Sequence, residues 1–284
     1  MSPKIAAVTV LYNPDKNFTD NVLTYAGHVS LQVIVDNRED PDPRIYESLQ
    51  HNENIKFIIN HQNNGIAKAL NEGTRLAMQH GCDWVLTMDQ DSCFEKSMIE
   101  KYLENFHRLQ GKETIAVIGP VFENEINTGA PGKVKEVTSL ITSGSLINTT
   151  VFNEIGGYNE NLFIDEVDHE YCYRAKLKGY SVLQFQDIFL QHQLGRSVHV
   201  TTITGKKNKN KTLHSPIRLY YIVRNSCYVI AMYKKSFPLE MKIKRKDVLV
   251  RIKNNFLYGD KKMAVIKYAI LGYLDYKRNR FGKY

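Results

Sequence analysis

Short apolar runs rich in β-branched residues recur through the first ninety residues, and stretches with helical spacing separate them. The runs lie at 5–11 (IAAVTVL), 33–35 (VIV), 55–59 (IKFII) and 84–88 (WVLTM), with helical patterns over 18–29 and 66–80. Gly81 closes the second helical pattern. Strands alternating with helices at this spacing imply an α/β fold with a mostly parallel central sheet flanked by helices. Open sheets of that kind bind ligands beyond the carboxyl ends of their strands. Each run here closes on polar residues: Asn13 after the first, Asp36 after the second, 60–65 after the third, and Asp89 and Asp91 after the fourth. The G-x-G-x-x-G dinucleotide fingerprint and the G-x-x-x-x-G-K-[ST] phosphate loop are both missing from the sequence, which argues against a Rossmann dehydrogenase or a P-loop ATPase.

Charge divides the chain. Residues 206–284 carry 21 Lys+Arg against 4 Asp+Glu, a net of +17, whereas 1–205 carry 17 basic and 26 acidic residues, a net of −9. The expected organisation is therefore a core domain at 1–205 and a basic helical region at 206–284, with the Lys/Asn run 206–211 at the junction. Twelve aromatic residues fall in the basic part. Such a region attracts an anionic surface, whether lipid head groups, nucleic acid or a phosphorylated substrate. A helical subdomain with a solvated basic face has the same composition. The 284 residues, 43% of them hydrophobic, are ample for a core without staples. The four cysteines form no C-x-x-C pair, the first residues carry no signal-peptide pattern, and no run reaches about 18 apolar residues. The expected location is cytoplasmic, at or near the inner face of the plasma membrane.

Three groups of residues carry chemistry. In Asp89-Gln90-Asp91, side chains at i and i+2 of an extended segment point the same way. Two hard carboxylates so placed suit Mg²⁺ or Mn²⁺, which clamps a diphosphate; a plain turn after a strand also favours Asp. The segment 163–170 (FIDEVDHE) packs Asp165, Glu166, Asp168 and Glu170 together ahead of Arg174. Crowded carboxylates mark a cleft in which one has a raised pKa, or an acidic first turn that the helix dipole favours. His192 follows an apolar run, a place where histidine is structural as often as it is a ligand.

Taken in order, these pieces resemble the family 2 glycosyltransferases of GT-A fold, and within them the bacterial rhamnosyltransferase-type branch. The matching segments are 10–14 (VLYNP), 35–37 (VDN), 63–71 (NNGIAKALN), 89–91 (DQD), Gly144 with 152–158 (FNEIGGY), 163–174 with its F-I-D-x-x-D-x-E-x-x-x-R pattern, and His192. They span 4–200, about 70% of the chain.

The resemblance implies a role for each position. Asp36 accepts the base N3–H of a uridine or thymidine diphosphate sugar, and Leu11 to Asn13 line the base pocket. Asn64, Gly65 and Lys68 lie near the ribose and diphosphate. Asp89 reaches the ribose or a metal-bound water, and Asp91 and His192 hold the divalent metal. Asp168, six residues before Arg174, is the catalytic base. The family has Glu just before that base where this chain has Val167, so Asp165 stands as its rival. Ser143 and Gly144, with Arg218 and Arg224 of the Y-Y-x-x-R-N element at 220–225, are expected near the acceptor or the pyrophosphate. The amphipathic stretches 243–256 and 263–276 are expected to meet an anionic membrane or a lipid pyrophosphate, or else to cap the fold. The implied reaction is inverting, metal-dependent transfer of a sugar, rhamnose from dTDP-rhamnose, onto a glycan or polyprenyl-pyrophosphate-linked acceptor. A nucleotidyltransferase would want a glycine-rich basic loop after the first strand, which 11–20 (LYNPDKNFTD) lacks. A nucleic-acid-binding module would leave the core carboxylates unexplained, so no nucleic acid is expected as a partner.

Overall fold

The computed structural model describes residues 2–47, 49–122, 132–192, 197–200 and 209–284. The first half alternates as the sequence implies: β1 (Ile5–Leu11), α1 (Phe18–Ala26), β2 (Leu31–Asp36), α2 (Arg44–Glu47), β3 (Ile55–Ile59), α3 (Ile66–Gln79) and β4 (Trp84–Asp89). Then come β5 (Ser92–Cys93), α4 (Lys96–Arg108), β6 (Ile115–Phe122), β7 (Val134–Glu136), β8 (Ser145–Asn148), α5 (Thr149–Ile155), α6 (Val167–Leu177) and β9 (Ser181–His192). All seven residues of β1 and all six of β2 are buried, as befits strands covered by helices on both faces.

The sheet runs β3-β2-β1-β4-β8-β6-β9-β5, with β7 paired to β9. β1 to β4 are mutually parallel, while β8 runs antiparallel between β4 and β6, so the sheet is mixed. The chain winds outward from β1 through β2 to β3, then returns to lay β4 on the other side of β1. That reversal is a topological switch point, and open α/β sheets take their ligands beyond the strand ends at such a point.

Helix α3 lies close on the sheet. A Cβ on Gly73 would stand 2.4 Å from Val8 Cγ1, so only glycine allows this approach. Asn71 of the same helix ties it to the 152–158 segment, its Nδ2 donating to Tyr158 O at 3.0 Å and its Oδ1 accepting from Tyr158 N at 2.8 Å.

The chain forms two compact units, residues 1–163 with 167–193, and residues 164–166 with 194–284. The second unit holds β10 (Ser197–Val200), β11 (Lys209–Thr212), α7 (Pro216–Tyr233), α8 (Pro238–Tyr258) and α9 (Lys262–Lys277). Ser215 caps α7 from its side chain and Pro216 opens it. Leu219 and Ile222 of α7 pack with Val265 of α9 and the partly buried Val248 and Ile252 of α8.

His214 enters this unit as a neutral group. Its Nε2 lies 3.1 Å from Arg251 Nη1 and its backbone N–H donates to Asn255 Oδ1 at 2.7 Å. Burial and the nearby Arg251 and Arg218 guanidiniums push its pKa down to about 4, against a smaller opposing effect of Asp247. The unfolded chain takes up that proton near pH 6.5 and the native one only near pH 4. Stability is therefore complete above the unfolded value and is lost as pH falls through the window, by at most about 2 kcal/mol at pH 5 and less to the extent that solvent screens this half-buried site. Denaturant unfolding at neutral pH and at pH 5 measures this loss. His214→Gln is expected to remove it.

Candidate active site

The register of β1 sets the geometry. Leu11 pairs with Asp36 on β2, and Val10 pairs with Asp89 on β4. The two carboxylates thus end their strands at nearly one level, on either side of β1 at the switch point. Leu11 itself is fully buried, so it packs in the core and does not line a pocket wall. Asn13 is exposed, with its backbone left-handed at φ 51°.

Asp36 is fully buried and heavily engaged. Arg38 donates its backbone N–H to Oδ1 at 3.1 Å and its Nε–H at 2.9 Å, while Arg38 Nη2 and the Tyr46 hydroxyl both donate to Oδ2. Burial alone would raise the pKa of this carboxyl, but the hydrogen bonds from Arg38 and Tyr46 outweigh it and hold the group below its usual value. Burial, and then the bond to Asp36, push Tyr46 up to about 12. The Tyr46 ring lies against Phe57 of β3, with centroids 4.9 Å apart.

Asn37, the next residue, organises the loop ahead of α3. Its Oδ1 accepts from Asn64 N at 3.1 Å and Asn60 Nδ2 at 3.2 Å, and its Nδ2 donates to Asn63 Oδ1 and Gly65 O, each at 3.3 Å. Gly65 has φ 82°, and a Cβ there would stand 2.6 Å from Phe163 O, so the loop needs glycine both for its backbone and for its contact. Lys68, in the first turn of α3, is half-buried, with Glu72 at the 4.0 Å limit of an ion pair.

On the other side of β1, Asp89 and Asp91 are half-buried. The side chain between them turns back: Gln90 Oε1 accepts from Tyr12 N at 2.8 Å and Gln90 Nε2 donates to Tyr12 O at 3.1 Å, tying the tip of β1 to this turn. β5 follows at once and pairs antiparallel with the end of β9, Ser92 opposite His192. Asp91 and His192, a hundred residues apart, are thereby neighbours along the backbone; the His192 side chain lies outside the described residues. Among the described residues no three His, Cys, Asp or Glu side chains gather as a metal cage. The carboxylates of Asp89 and Asp91 are hard donors whose chemistry fits a divalent cation that takes further oxygens from a diphosphate.

Ser143 and Gly144 are buried, which departs from the expectation that they touch an acceptor. Ser143 Oγ accepts from Asp89 N at 3.3 Å and so supports the 89–91 turn. Its neighbour Thr142 donates its backbone N–H to Asp168 Oδ2 at 3.0 Å, and His169 N donates to Oδ1 at 2.8 Å. The 142–143 loop thus joins Asp89 to Asp168. The latter is half-buried in the first turn of α6 and held by neutral donors, the two backbone N–H groups and the Thr142 hydroxyl at 3.5 Å, with the His169 ring at 3.9 Å. Glu170 and Arg174 do different work. They form a two-pronged pair at 3.0 and 2.9 Å, and Arg174 also donates to Ile155 O and Gly157 O, stitching α6 to the segment after α5.

Asp165 belongs to the helical unit. Its Oδ1 pairs with Arg218 at 3.2 Å, its Oδ2 is buried with no hydrogen-bond partner among the described residues, and burial raises its pKa despite Arg218. Asn225 Nδ2 donates to Ile164 O at 2.6 Å and Asp165 O at 3.1 Å, holding a segment in which Asp165 and Glu166 both have positive φ. Arg224 corrects another expectation. It is 1% exposed, stacked on Tyr220, Tyr221 and Phe281, and donates to Gly282 O at 2.8 Å. It braces the C-terminal helices and is not presented to a pyrophosphate.

Two residues at this site went unread in the sequence. Arg38 was legible: the i, i+2 argument that pairs Asp89 with Asp91 applies equally to Asp36 and Arg38. Tyr46 carried no local signal, since it arrives from a four-residue helix within an aperiodic stretch.

Comparison with known proteins identifies the family and the fold. The model of the family described as "Glycosyl transferase family 2" matches residues 20–164. The dTDP-rhamnosyl transferase RfbF of Shigella flexneri is 30% identical over 303 aligned residues, covering 97% of this chain and 96% of that protein. Among solved structures, GalNAc-T7 with UDP, GalNAc and Mn²⁺ superposes with a TM-score of 0.56 at 14% identity, over 95% of this chain and 57% of that one. S. aureus TarS gives 0.52 at 18% identity, over 91% of this chain and 44% of that one. A shorter form, TarS 1-349, gives 0.52 at 16%, over 96% and 80%. The chain thus spans about half the length of the first two structures, and at these identities the likeness concerns the GT-A fold. The chain belongs to glycosyl transferase family 2, and the protein is a glycosyltransferase related to a rhamnosyltransferase.

Proposed function

We propose that the protein transfers a sugar, with inversion at the anomeric carbon, from a dTDP- or UDP-linked donor to a glycan carried on a polyprenyl pyrophosphate or on a growing surface polysaccharide. The relative's name favours dTDP-rhamnose as donor. The observation that carries the reading is the convergence of Asp36, Asp89, Asp91 and Asp168 on one end of the sheet, linked by β1 and by the 142–143 loop.

In this reading the base of the donor sits over Asp36 and the tip of β1, and its ribose and diphosphate pass Asn64, Gly65, Lys68 and Asp89. Asp91, with Asp89 and His192 beside it, would hold Mg²⁺ or Mn²⁺. A bound cation there would neutralise charge on the departing diphosphate. The acceptor hydroxyl attacks the anomeric carbon as the bond to the diphosphate oxygen breaks on the opposite side, and the hydroxyl proton passes to Asp168. Asp168 suits this work better than Asp165 because no cationic side chain occupies its carboxylate, whereas Asp165 is spent on Arg218. Arg218, about half exposed, remains available to an anionic ligand.

The basic helices are read as the contact with an anionic membrane. Met263, Ile266, Ile270 and Tyr273 form an exposed apolar stripe along α9 at helical spacing, bordered by Lys262, Lys267 and Lys277. No helix of the described residues is long and apolar enough to cross a membrane. One assay tests the whole reading: transfer from dTDP-rhamnose and UDP-sugars to a lipid-pyrophosphate-linked glycan in vesicles containing anionic lipid. The expected result is a metal-dependent rate, an inverted product by NMR, and co-flotation that salt reverses. A retained configuration, or no turnover of any nucleotide sugar, would overturn it.

A further inference from the structure

Thr87 is the polar residue inside the apolar run of β4, fully buried and two positions before Asp89, so both side chains leave the strand on the same side. Valine has nearly the same shape, so packing alone does not call for a hydroxyl there, and a buried hydroxyl is costly unless it is hydrogen-bonded. Thr87 Oγ1 donates to Thr142 O at 2.6 Å and also lies 3.1 Å from Ser145 O, while Thr87 O accepts from Gly144 N at 2.9 Å. One residue of β4 thus grips the 142–145 turn at three atoms. Ser145 N closes that turn on Thr142 O at 3.2 Å, with Gly144 left-handed at φ 80°. The single hydroxyl proton of Thr87 is committed to these carbonyls, so the buried Tyr158 hydroxyl, which bonds to Thr87, donates to Oγ1. Asn71 of α3 holds Tyr158 in turn through its backbone N–H and carbonyl.

Thr142 is thereby fixed at both ends. Its carbonyl is taken by Thr87, and its N–H donates to Asp168 Oδ2 at 3.0 Å. Thr142, Tyr158 and Asp168 line one small cavity. We infer that Thr87 is a positioning residue for the base: its buried hydroxyl fixes the 142–145 turn, and the turn, through Thr142 N–H, fixes the Asp168 carboxylate. The inference rests on the glycosyl-donor reading above and deepens it. Ser143, the next residue of the turn, accepts from Asp89 N, so the same grip sets Asp168 against the 89–91 turn. A base must meet the acceptor hydroxyl as it attacks the donor, and a misplacement of about 1 Å costs about 10²-fold in rate. Without the Thr87 hydroxyl, Thr142 O keeps only its longer bond, from Ser145 N, and the 142 N–H is free to turn from Asp168.

The test compares Thr87→Val and Thr87→Ser in the full-length protein, by transfer from dTDP-rhamnose in the vesicle assay above and by calorimetric binding of dTDP with Mn²⁺. Thr87→Val is expected to lower kcat at least tenfold with nucleotide Kd within about twofold of wild type. Thr87→Ser, which restores the hydroxyl, is expected to stay within about threefold of the wild-type kcat. The decisive readout is the double variant. A residue that acts through Asp168 has nothing left to act on in Asp168→Asn, so Thr87→Val is expected to cost less than about twofold more in that background. A merely structural role would cost the same factor in both backgrounds, and that result overturns the inference. So does a Thr87→Val enzyme with wild-type kcat. If Thr87→Val does not fold, Tyr158→Phe is read the same way: a threefold loss of kcat that vanishes in Asp168→Asn supports the inference, and an unchanged kcat overturns it. None of these failures touches the glycosyl-donor reading. An Asp168→Asn enzyme as active as wild type overturns the assignment of the base itself.

Discussion

Asp168→Asn is expected to lower the transfer rate by about 10²–10⁴-fold, the usual range for loss of a general base, with donor-nucleotide affinity within about twofold of wild type. The substitution keeps the shape of the side chain but removes its ability to take the acceptor's proton. Asp168 accepts from Thr142 N and His169 N through its two oxygens, so an amide nitrogen must face one of these donors. The loss of that bond costs about 1 kcal/mol of stability, which is far too little to explain the loss of rate. Steady-state transfer, measured beside calorimetric nucleotide binding, separates the two effects. Asp165→Asn is the matched control. It breaks the pair with Arg218, so its effect is expected in melting temperature and not in kcat. A fully active Asp168→Asn enzyme together with an inactive Asp165→Asn enzyme would exchange the roles of the two.

Asp91→Ala is expected to abolish the metal-dependent part of nucleotide binding and to lower kcat/KM by at least about 10²-fold, because charge on the leaving diphosphate would go unmet. Asp91 lies in the turn between β4 and the two-residue β5, whose pairing with β9 sets Ser92 opposite His192. Gln90 on the Tyr12 backbone and Ser143 Oγ on Asp89 N both hold the turn, and neither contact involves Asp91. The variant is therefore expected to fold normally. Titrating Mn²⁺ into the enzyme with saturating dTDP or UDP reads the result directly. Binding heats and rates equal to wild type would remove Asp91 from the set of metal ligands.

The two predictions differ in how much they owe to structure. The i, i+2 spacing and the placement of 89–91 after an apolar run already single out Asp91. The choice between Asp168 and Asp165 needs the hydrogen-bond partners, because both residues lie in one acidic segment and differ only in what surrounds them. The same holds for Arg218 and Arg224, equally basic members of one helix: one stays about half exposed and the other is buried among Tyr220, Tyr221 and Phe281. Ser143 and Gly144 follow the same pattern, since a short polar loop reads alike whether it faces a ligand or supports the strand beside it.

Local chain chemistry was enough to order the elements. β-Branched apolar runs ending on Asp or Asn read as strands whose tips are polar, and the helical patterns at 18–29 and 66–80 make the strands on either side of each pattern parallel. Long-range packing decided the rest. It set β8 antiparallel between β4 and β6, and through β5 it brought the backbone of His192 opposite Ser92, next to the Asp91 turn. The division has a physical cause. Periodicity reports which face of an element is dry, and is written within a dozen residues. A hydrogen-bond partner fifty or a hundred residues away leaves no trace in that window, because its position depends on how the whole sheet is assembled.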